Sequence, residues 1–525
     1  MAKAKKNRAS KTRYVSPNQL SLVGFESPFV QHLNPNNRWV VLARQIPWDS
    51  IVNVYRKQLN NEVTGAGGIN PRVAIGALFI KHICDLSDRE TILQIQENIY
   101  MQYFIGFSSY SDEPVFDSSL FVDIRKRLGP GQINEINERI MGIISVGKDD
   151  NTDNHNQPEQ NHSAQHHPVK ENEEQDAPKE ASITVVNIDP PSNKGELLVD
   201  ATACPQDIKY PTDLNLLNDA RQKSEELIDV LYRKKQWDDK DKPRTYRQIA
   251  RKEYLKVAQK KHKTRKQIRK AIRKQLAYLH RNIKILHSLL TYFKHIPFNK
   301  KDYKYLLVIQ TLYDQQKMMY DSKMHTVEHR IVSIHQPHVR PIVRGKTNAY
   351  VEFGAKIQVS IMNGITFLED LSWEAFNEST RLMSTIESYK RRFGYYPGKV
   401  MVDKIYCTRE NRAKLKQLGI ELRAKPLGRP KLAVDNHVRP GERNPIEGKF
   451  GQAKTTYGMG RIKARLQQTS ESWIASIVLV LNLINLIGRA FLCLVVWLKQ
   501  KNVEFIKWLA VLHEIYIPPP KKLSV

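Results

Sequence analysis

"GELLVDATACP", residues 195–205, is the stretch on which the fold turns. Leu197, Leu198 and Val199 make a short apolar run that ends in an aspartate, Asp200. That pattern reads as a buried strand. Upstream of it apolar residues recur at helical spacing; from here on strand patterns return. "AYVEFGAKIQVSIM" (349–362) alternates as a strand does, and "GKVMVDKIY" (398–406) repeats the opening theme, apolar residues and then Asp403. "ELRAKP" (421–426) is a further strand candidate, and helices fit between the strands at 372–393 and 408–418. Residues 183–470 are therefore expected to form an α/β core.

Outward from that core the chain changes character in both directions. Residues 1–146 read as helical: "NPRVAIGALFIKHICDLSDRETILQIQENIYMQYFIGF" has helical apolar spacing, with Ser87 or Asp88 placed to cap its second half. "FDSSLFVDIRKRLG" reads as a short helix starting near Asp117. Short helices with basic ends fit both a helix-turn-helix-like DNA-binding unit and a plain helical packing domain. The basic arm "MAKAKKNRASKTR" fits either a phosphate-tracking arm or a solvated tail. Residues 147–182 have almost no aliphatic side chains and are expected to be a disordered polar linker. Its histidines 155, 162, 166 and 167 are better explained by that polarity than by a metal site.

A basic helical insertion is expected to interrupt the core over 215–328. Residues 241–284 hold 17 Lys and Arg against Asp241 and Glu253, a net of 17 − 2 = +15. Lys263, Arg265, Lys266, Arg269, Lys270 and Arg273 on this helix could track a DNA backbone or form a solvated face. Ile272, Leu276, Leu279, Ile283, Leu286, Leu290 and Phe293 then step by fours and threes, a heptad seam. Its partner is either 303–324, folded back after Pro297, or another molecule. "WIASIVLVLNLINLIGRAFLCLVVWL" (473–498) is long enough to span a bilayer, but Asn482, Asn485 and Arg489 interrupt it. A buried core helix, broken near Gly488, is the expectation for this run, with 471–525 forming C-terminal apolar helices that pack on the core.

The whole chain has 525 residues, enough for two to four domains, and 83 Lys+Arg against 54 Asp+Glu give a formal net charge of +29. Nucleic acid is the default partner of so basic a protein. The four cysteines are far apart, with no zinc or disulfide spacing, which suits a reducing cytosol.

The chemistry is expected in three acids. Asp200 and Asp403 follow apolar strands, and Glu447 lies in "GERNPIEGKFGQAK" (441–454). Three carboxylates can hold two divalent ions about 3.5–4 Å apart for phosphoryl transfer. Hard oxygen ligands suit magnesium, and manganese could substitute. Glu447 has a second reading. Asn444 at the N-cap, Pro445 next and Glu447 at the third position would make a capping box. In favour of chemistry, Glu447, Phe450 and Lys454 share a helix face, Gly448 and Gly451 leave room, and Arg443 precedes the helix.

Arg443, three residues, Glu447, six residues and Lys454 resemble the R-(3)-E-(6)-K part of the signature of DDE insertion-sequence transposases of the insertion-sequence-four/five superfamily. "VDATACPQDIKYPTDLNLLNDAR" resembles their first-aspartate block, and "VDKIYCTRENRAKLKQLGI" (402–420) their second. "RPIVRGKTNAYVEFGAKIQVS" (340–360), with Arg344 and Lys346, is similar to the strand block of the subgroup with an N-terminal helical transposase domain. The resemblance runs from about residue 18 to 495. It implies an RNase H-like mixed sheet with a large helical insertion, plus an all-α N-terminal domain. It implies Asp200, Asp403 and Glu447 as metal ligands for two Mg2+ ions, with Arg443, Lys454 and neighbours such as Lys449 on DNA. It also implies cleavage at terminal inverted repeats, joining of the 3′ hydroxyl to target DNA, and a synaptic homodimer without a membrane partner.

Two departures stand out. Pro440 replaces the signature's tyrosine, and Ile405 replaces a glycine after the second aspartate, where a left-handed turn would be strained. A catalytically inactive DNA-binding descendant is the alternative function. A membrane-associated basic protein is a second rival, and a nuclease without strand transfer a third.

Overall fold

The computed structural model describes residues 33–59, 68–143, 193–235, 242–343, 351–424 and 441–488. The basic arm, the 147–182 linker, Arg344, Lys346, Pro440, Arg489 and the rest of the C-terminal segment lie outside the described residues.

The centre of the molecule is one mixed sheet. β1 (Glu196–Pro205) runs antiparallel to β3 (Val351–Met362) on one side and parallel to β5 (Lys399–Met401) on the other. β3 also pairs with β2 (Arg340–Val343) and β4 (Ile365–Ser372), both antiparallel, and β5 pairs in parallel with β6 (Glu421–Arg423). β1 is buried along nearly its whole length, as a central strand covered on both faces must be. It does not stop at Asp200, as its apolar run suggested, but continues five residues to Pro205. There it comes so close to β3 that a Cβ on Gly354 would lie 2.0 Å from the Cys204 carbonyl oxygen. β4 follows β3 through Asn363 and Gly364, both at positive φ, the backbone a tight hairpin turn requires.

Among the described residues seven helices precede the sheet: α1 (Arg38–Gln45), α2 (Trp48–Arg56), α3 (Pro71–Ile83), α4 (Asp88–Glu97), α5 (Ile99–Phe104), α6 (Leu120–Arg127) and α7 (Pro130–Ile140). Ser87 caps α4 by accepting from the Glu90 N–H. The basic end of α6 is partly spent on structure. Arg125 is buried against Asp88, and Arg127 donates to the Tyr55 hydroxyl. α7 docks on β4: Asn134 donates to the Leu368 carbonyl and Asn137 to that of Thr366. A buried Arg392 bridges Glu138 of α7 and Glu369 of β4. The edge strand's unpaired groups are thereby covered.

Between β1 and β2 come α8 (Asp213–Lys235), α9 (Arg247–Ala258), α10 (Arg265–Leu290) and α11 (Lys300–Ser322). The heptad seam is used within the molecule. Leu276, Leu279, Ile283 and Leu286 of α10 bury against Leu217, Leu227 and Leu231 of α8 and against Ile309 and Leu312 of α11. The fold-back of α11 is as expected; α8 is the additional partner. α12 (Leu382–Phe393) and α13 (Arg409–Gln417) flank β5, and α14 (Asn444–Thr455) follows β6.

The last described helix, α15 (Gln467–Gly488), is long and apolar enough to cross a membrane, yet it lies in the core. Its residues from Trp473 to Leu483 share one hydrophobic cluster with the N-terminal helices and with Ile357, Val359 and Leu368 of the sheet. Asn482 is buried there with its amide fully engaged.

Candidate active site

Strand register brings the two aspartates together. Leu198 of β1 lies opposite Met401 of β5 in a parallel pair. Asp200 and Asp403 each follow two residues later, so the pleat returns both to the face of Leu198 and Met401. β5 ends at Met401, and Asp403 keeps an extended backbone before a 3-10 turn at Lys404–Tyr406. The pair thus lies just past the end of β5, beside the middle of β1. Ile446 of α14 packs on Leu198 and Met401, which sets the start of that helix over the same spot.

Arg443 sits between the carboxylates. Its Nη2 donates to Asp200 Oδ2 at 2.8 Å, and its Nη1 lies 3.2 Å from Asp403 Oδ1. The Asp200 carboxyl is pushed up to about 6, mainly because burial disfavours its charge. Arg443 and the Ala201 N–H pull it down, while Glu378 and Asp403 push it further up. Desolvation therefore outweighs the ion pair.

Glu447 is not a cap. α14 starts one residue earlier than a capping box needs, with Arg443 at the N-cap position in helical backbone and no side-chain capping bond. Glu447 lies in the first turn, exposed, beside open space at Gly448 and Gly451. Among the described residues no three His, Cys, Asp or Glu side chains are already gathered as a metal-holding group. The structure joins Asp200 to Asp403 and leaves Glu447 on the neighbouring helix turn.

The basic residues divide. Lys263, Arg265, Lys266, Arg269, Lys270 and Arg273 are all exposed at the start of α10, though Arg269 is held by the Tyr320 carbonyl and ring. Lys449 is turned inward, donating to Asn485 Oδ1 at 2.8 Å. Lys454 is half-buried in the last turn of α14. Ile405 causes no strain. It lies in the 3-10 turn and is absent from the positive-φ residues, so the feared left-handed turn is not formed.

Two groups escaped the sequence reading. Glu378 begins a 3-10 turn at Glu378–Arg381 and pairs with Lys356 at 3.0 Å. Asn411 clamps that turn to the one after Asp403 by donating to the Ser379 and Tyr406 carbonyls, each at 2.9 Å. Tyr406 is fully buried, its hydroxyl has no hydrogen-bond partner among the described residues, and burial with Glu378 and Asp200 pushes its proton loss far up. No local spacing announces Glu378, because it reaches the site through a loop between strands. Tyr406 was visible as the tyrosine after the second aspartate.

Comparison with known proteins gives two family matches in chain order. A transposase domain family matches residues 27–127, and a transposase DDE domain family matches residues 400–484, which include Asp403, Arg443, Glu447 and Lys454. An uncharacterized protein, ORF8 in the nfe locus of Rhizobium meliloti, is 33% identical over 108 residues. That stretch is 20% of this chain and spans about half (49%) of the relative. No solved structure matches the chain. A transposase domain match ahead of a transposase DDE domain match makes the chain similar to the DDE insertion-sequence transposases.

Proposed function

We propose that this protein is a transposase that cuts DNA at the ends of its element and joins the freed 3′ hydroxyls to target DNA, with Asp200, Asp403 and Glu447 as its metal-binding carboxylates. The observation that carries this reading is the register-matched pair Asp200 and Asp403 converging on a single cationic group, Arg443. Two hard carboxylate oxygens that share a cation are a donor set magnesium fits. Glu447, uncommitted to a cap, is the carboxylate on α14 nearest in the chain to Arg443. When bound, two Mg2+ ions would polarise the scissile phosphodiester and stabilise the attacking and leaving oxygens. The sheet order, antiparallel across β4, β3 and β1 and parallel across β1, β5 and β6, supports an RNase H-like core.

The chain's own part is positioning. Asp200 is held by the strand pair and by the Ala201 N–H, while Asp403 is half exposed and faces incoming substrate. The exposed basic start of α10 offers phosphate contacts that fix DNA register without reading sequence. A synaptic homodimer rests on family resemblance, since the heptad seam is occupied within the molecule.

A second reading, a DNA-binding protein without catalysis, draws on the exposure of Glu447 and the lack of a preassembled three-ligand group among the described residues. One assay separates the two. The protein is incubated with magnesium and a duplex carrying the sequences that flank its coding region. Site-specific nicking that is lost in Asp403→Asn and Glu447→Gln, with binding retained, supports the transposase chemistry. Binding without nicking by the parent would establish the silent reading instead.

A further inference from the structure

We propose that Arg443 is a positioning residue that stands in for the metal cation. It gathers Asp200 and Asp403 before the ion arrives and yields its place when DNA offers phosphates, so that DNA binding loads the site. This rests on the reading that the two aspartates hold the ion.

The geometry supports exchange over permanent pairing. Arg443 spans the carboxylates with one guanidinium nitrogen each, at 2.8 and 3.2 Å, so it occupies the space a bridging cation needs. Two carboxylates and one guanidinium leave a net negative charge, enough to attract an ion. A divalent ion and a guanidinium at contact distance repel strongly in a partly buried cleft, so the two occupants exclude one another. The guanidinium is also underused where it sits: its Nε is buried and has no hydrogen-bond partner among the described residues. An arginine carries five donors in a rigid fork, and a phosphate can take two in parallel. Asp403 is 46% exposed, so an approaching DNA can reach the pair from solvent. By reciprocity, DNA that draws Arg443 away tightens metal binding, and metal that displaces it tightens DNA binding.

The test is titration calorimetry of the full chain with Mn2+, with and without a short duplex of unrelated sequence. The expected result without DNA is that Arg443→Gln binds Mn2+ about tenfold more tightly than the parent, since a competing unit charge has been removed. Arg443→Lys, which retains a charge but loses the fork, should fall between them and covers the case in which the glutamine variant does not fold. Duplex should tighten Mn2+ binding to the parent and leave Arg443→Gln almost unchanged. Weaker or equal Mn2+ binding by both variants would overturn the proposal and give Arg443 a merely structural role. An equal response to DNA in parent and variant would overturn it too. If Asp403→Asn leaves Mn2+ binding unaltered in the parent, the metal-site reading itself fails, a result distinguishable from failure of the exchange alone.

Discussion

Asn482 donates from Nδ2 to Asn137 Oδ1 at 2.8 Å, linking the long apolar helix α15 to the N-terminal helices. The same amide donates to the Thr366 carbonyl at 2.7 Å and accepts from the Thr366 N–H at 2.8 Å. One buried side chain therefore joins α7, β4 and α15. A polar group so placed is costly in lipid and useful in a protein core, because all its partners are fixed.

Asn482→Leu is expected to lower unfolding stability by about 2–4 kcal/mol, since it removes the partners of a buried backbone N–H and of Asn137 Oδ1 together. Urea denaturation measures this. A variant as stable as the parent would show that the amide network contributes nothing.

Removing the Tyr406 hydroxyl should have the opposite effect. The group is buried with no partner among the described residues, so Tyr406→Phe is expected to match or exceed the parent in stability. Tyr406→Ala, which also empties the space, should cost about 3–5 kcal/mol. A Phe variant that melts well below the parent would reveal a bond the hydroxyl makes in solution.

The basic face of α10 should appear in the salt dependence of DNA binding. Lys266, Lys270 and Arg273 are exposed at helical spacing on one face. Replacing all three by Gln should reduce the slope of log K against log salt by about 2–3, at roughly 0.9 for each phosphate no longer neutralised. Binding to unrelated and related sequences should weaken alike. An unchanged slope would mark the face as solvated and idle.

His338 should tie stability to acid. Its ring packs edge-on against Trp373 at 4.4 Å, and burial lowers its proton affinity to about 4, with Lys304 and Arg340 acting in the same direction. The folded state favours the neutral ring, whereas the unfolded chain takes up a proton near pH 6.5. The stability involved is fully present above about pH 6.5 and is lost as the pH falls toward 4. About 2 kcal/mol is expected over that window, allowing for partial exposure. His338→Gln should flatten this part of the stability curve, and an equally steep curve in the variant would assign the acid sensitivity elsewhere.

What the sequence determined is what local chemistry writes into neighbouring residues. Helical spacing marked α3 and α4, and the run of apolar residues before each aspartate marked β1 and β5. The heptad steps marked α10 as a packed helix, and the interrupting asparagines marked α15 as a core element. β4 was not assigned from the pattern, and the Asn363–Gly364 turn that leads into it was not read.

The tertiary structure alone decided the rest, because it depends on groups distant in the chain meeting. Parallel register, and no feature of either segment, sets Asp200 beside Asp403. Packing of Ile446 on the sheet carries Arg443 between them, and the backbone of Arg443 frees Glu447 from capping. Glu378 enters the site through a turn clamped by Asn411, and Lys449 leaves the DNA face for Asn485. Side-chain type and spacing can nominate a carboxylate or a cation, but only the packed chain fixes which of them share one cleft and which are spent on the fold.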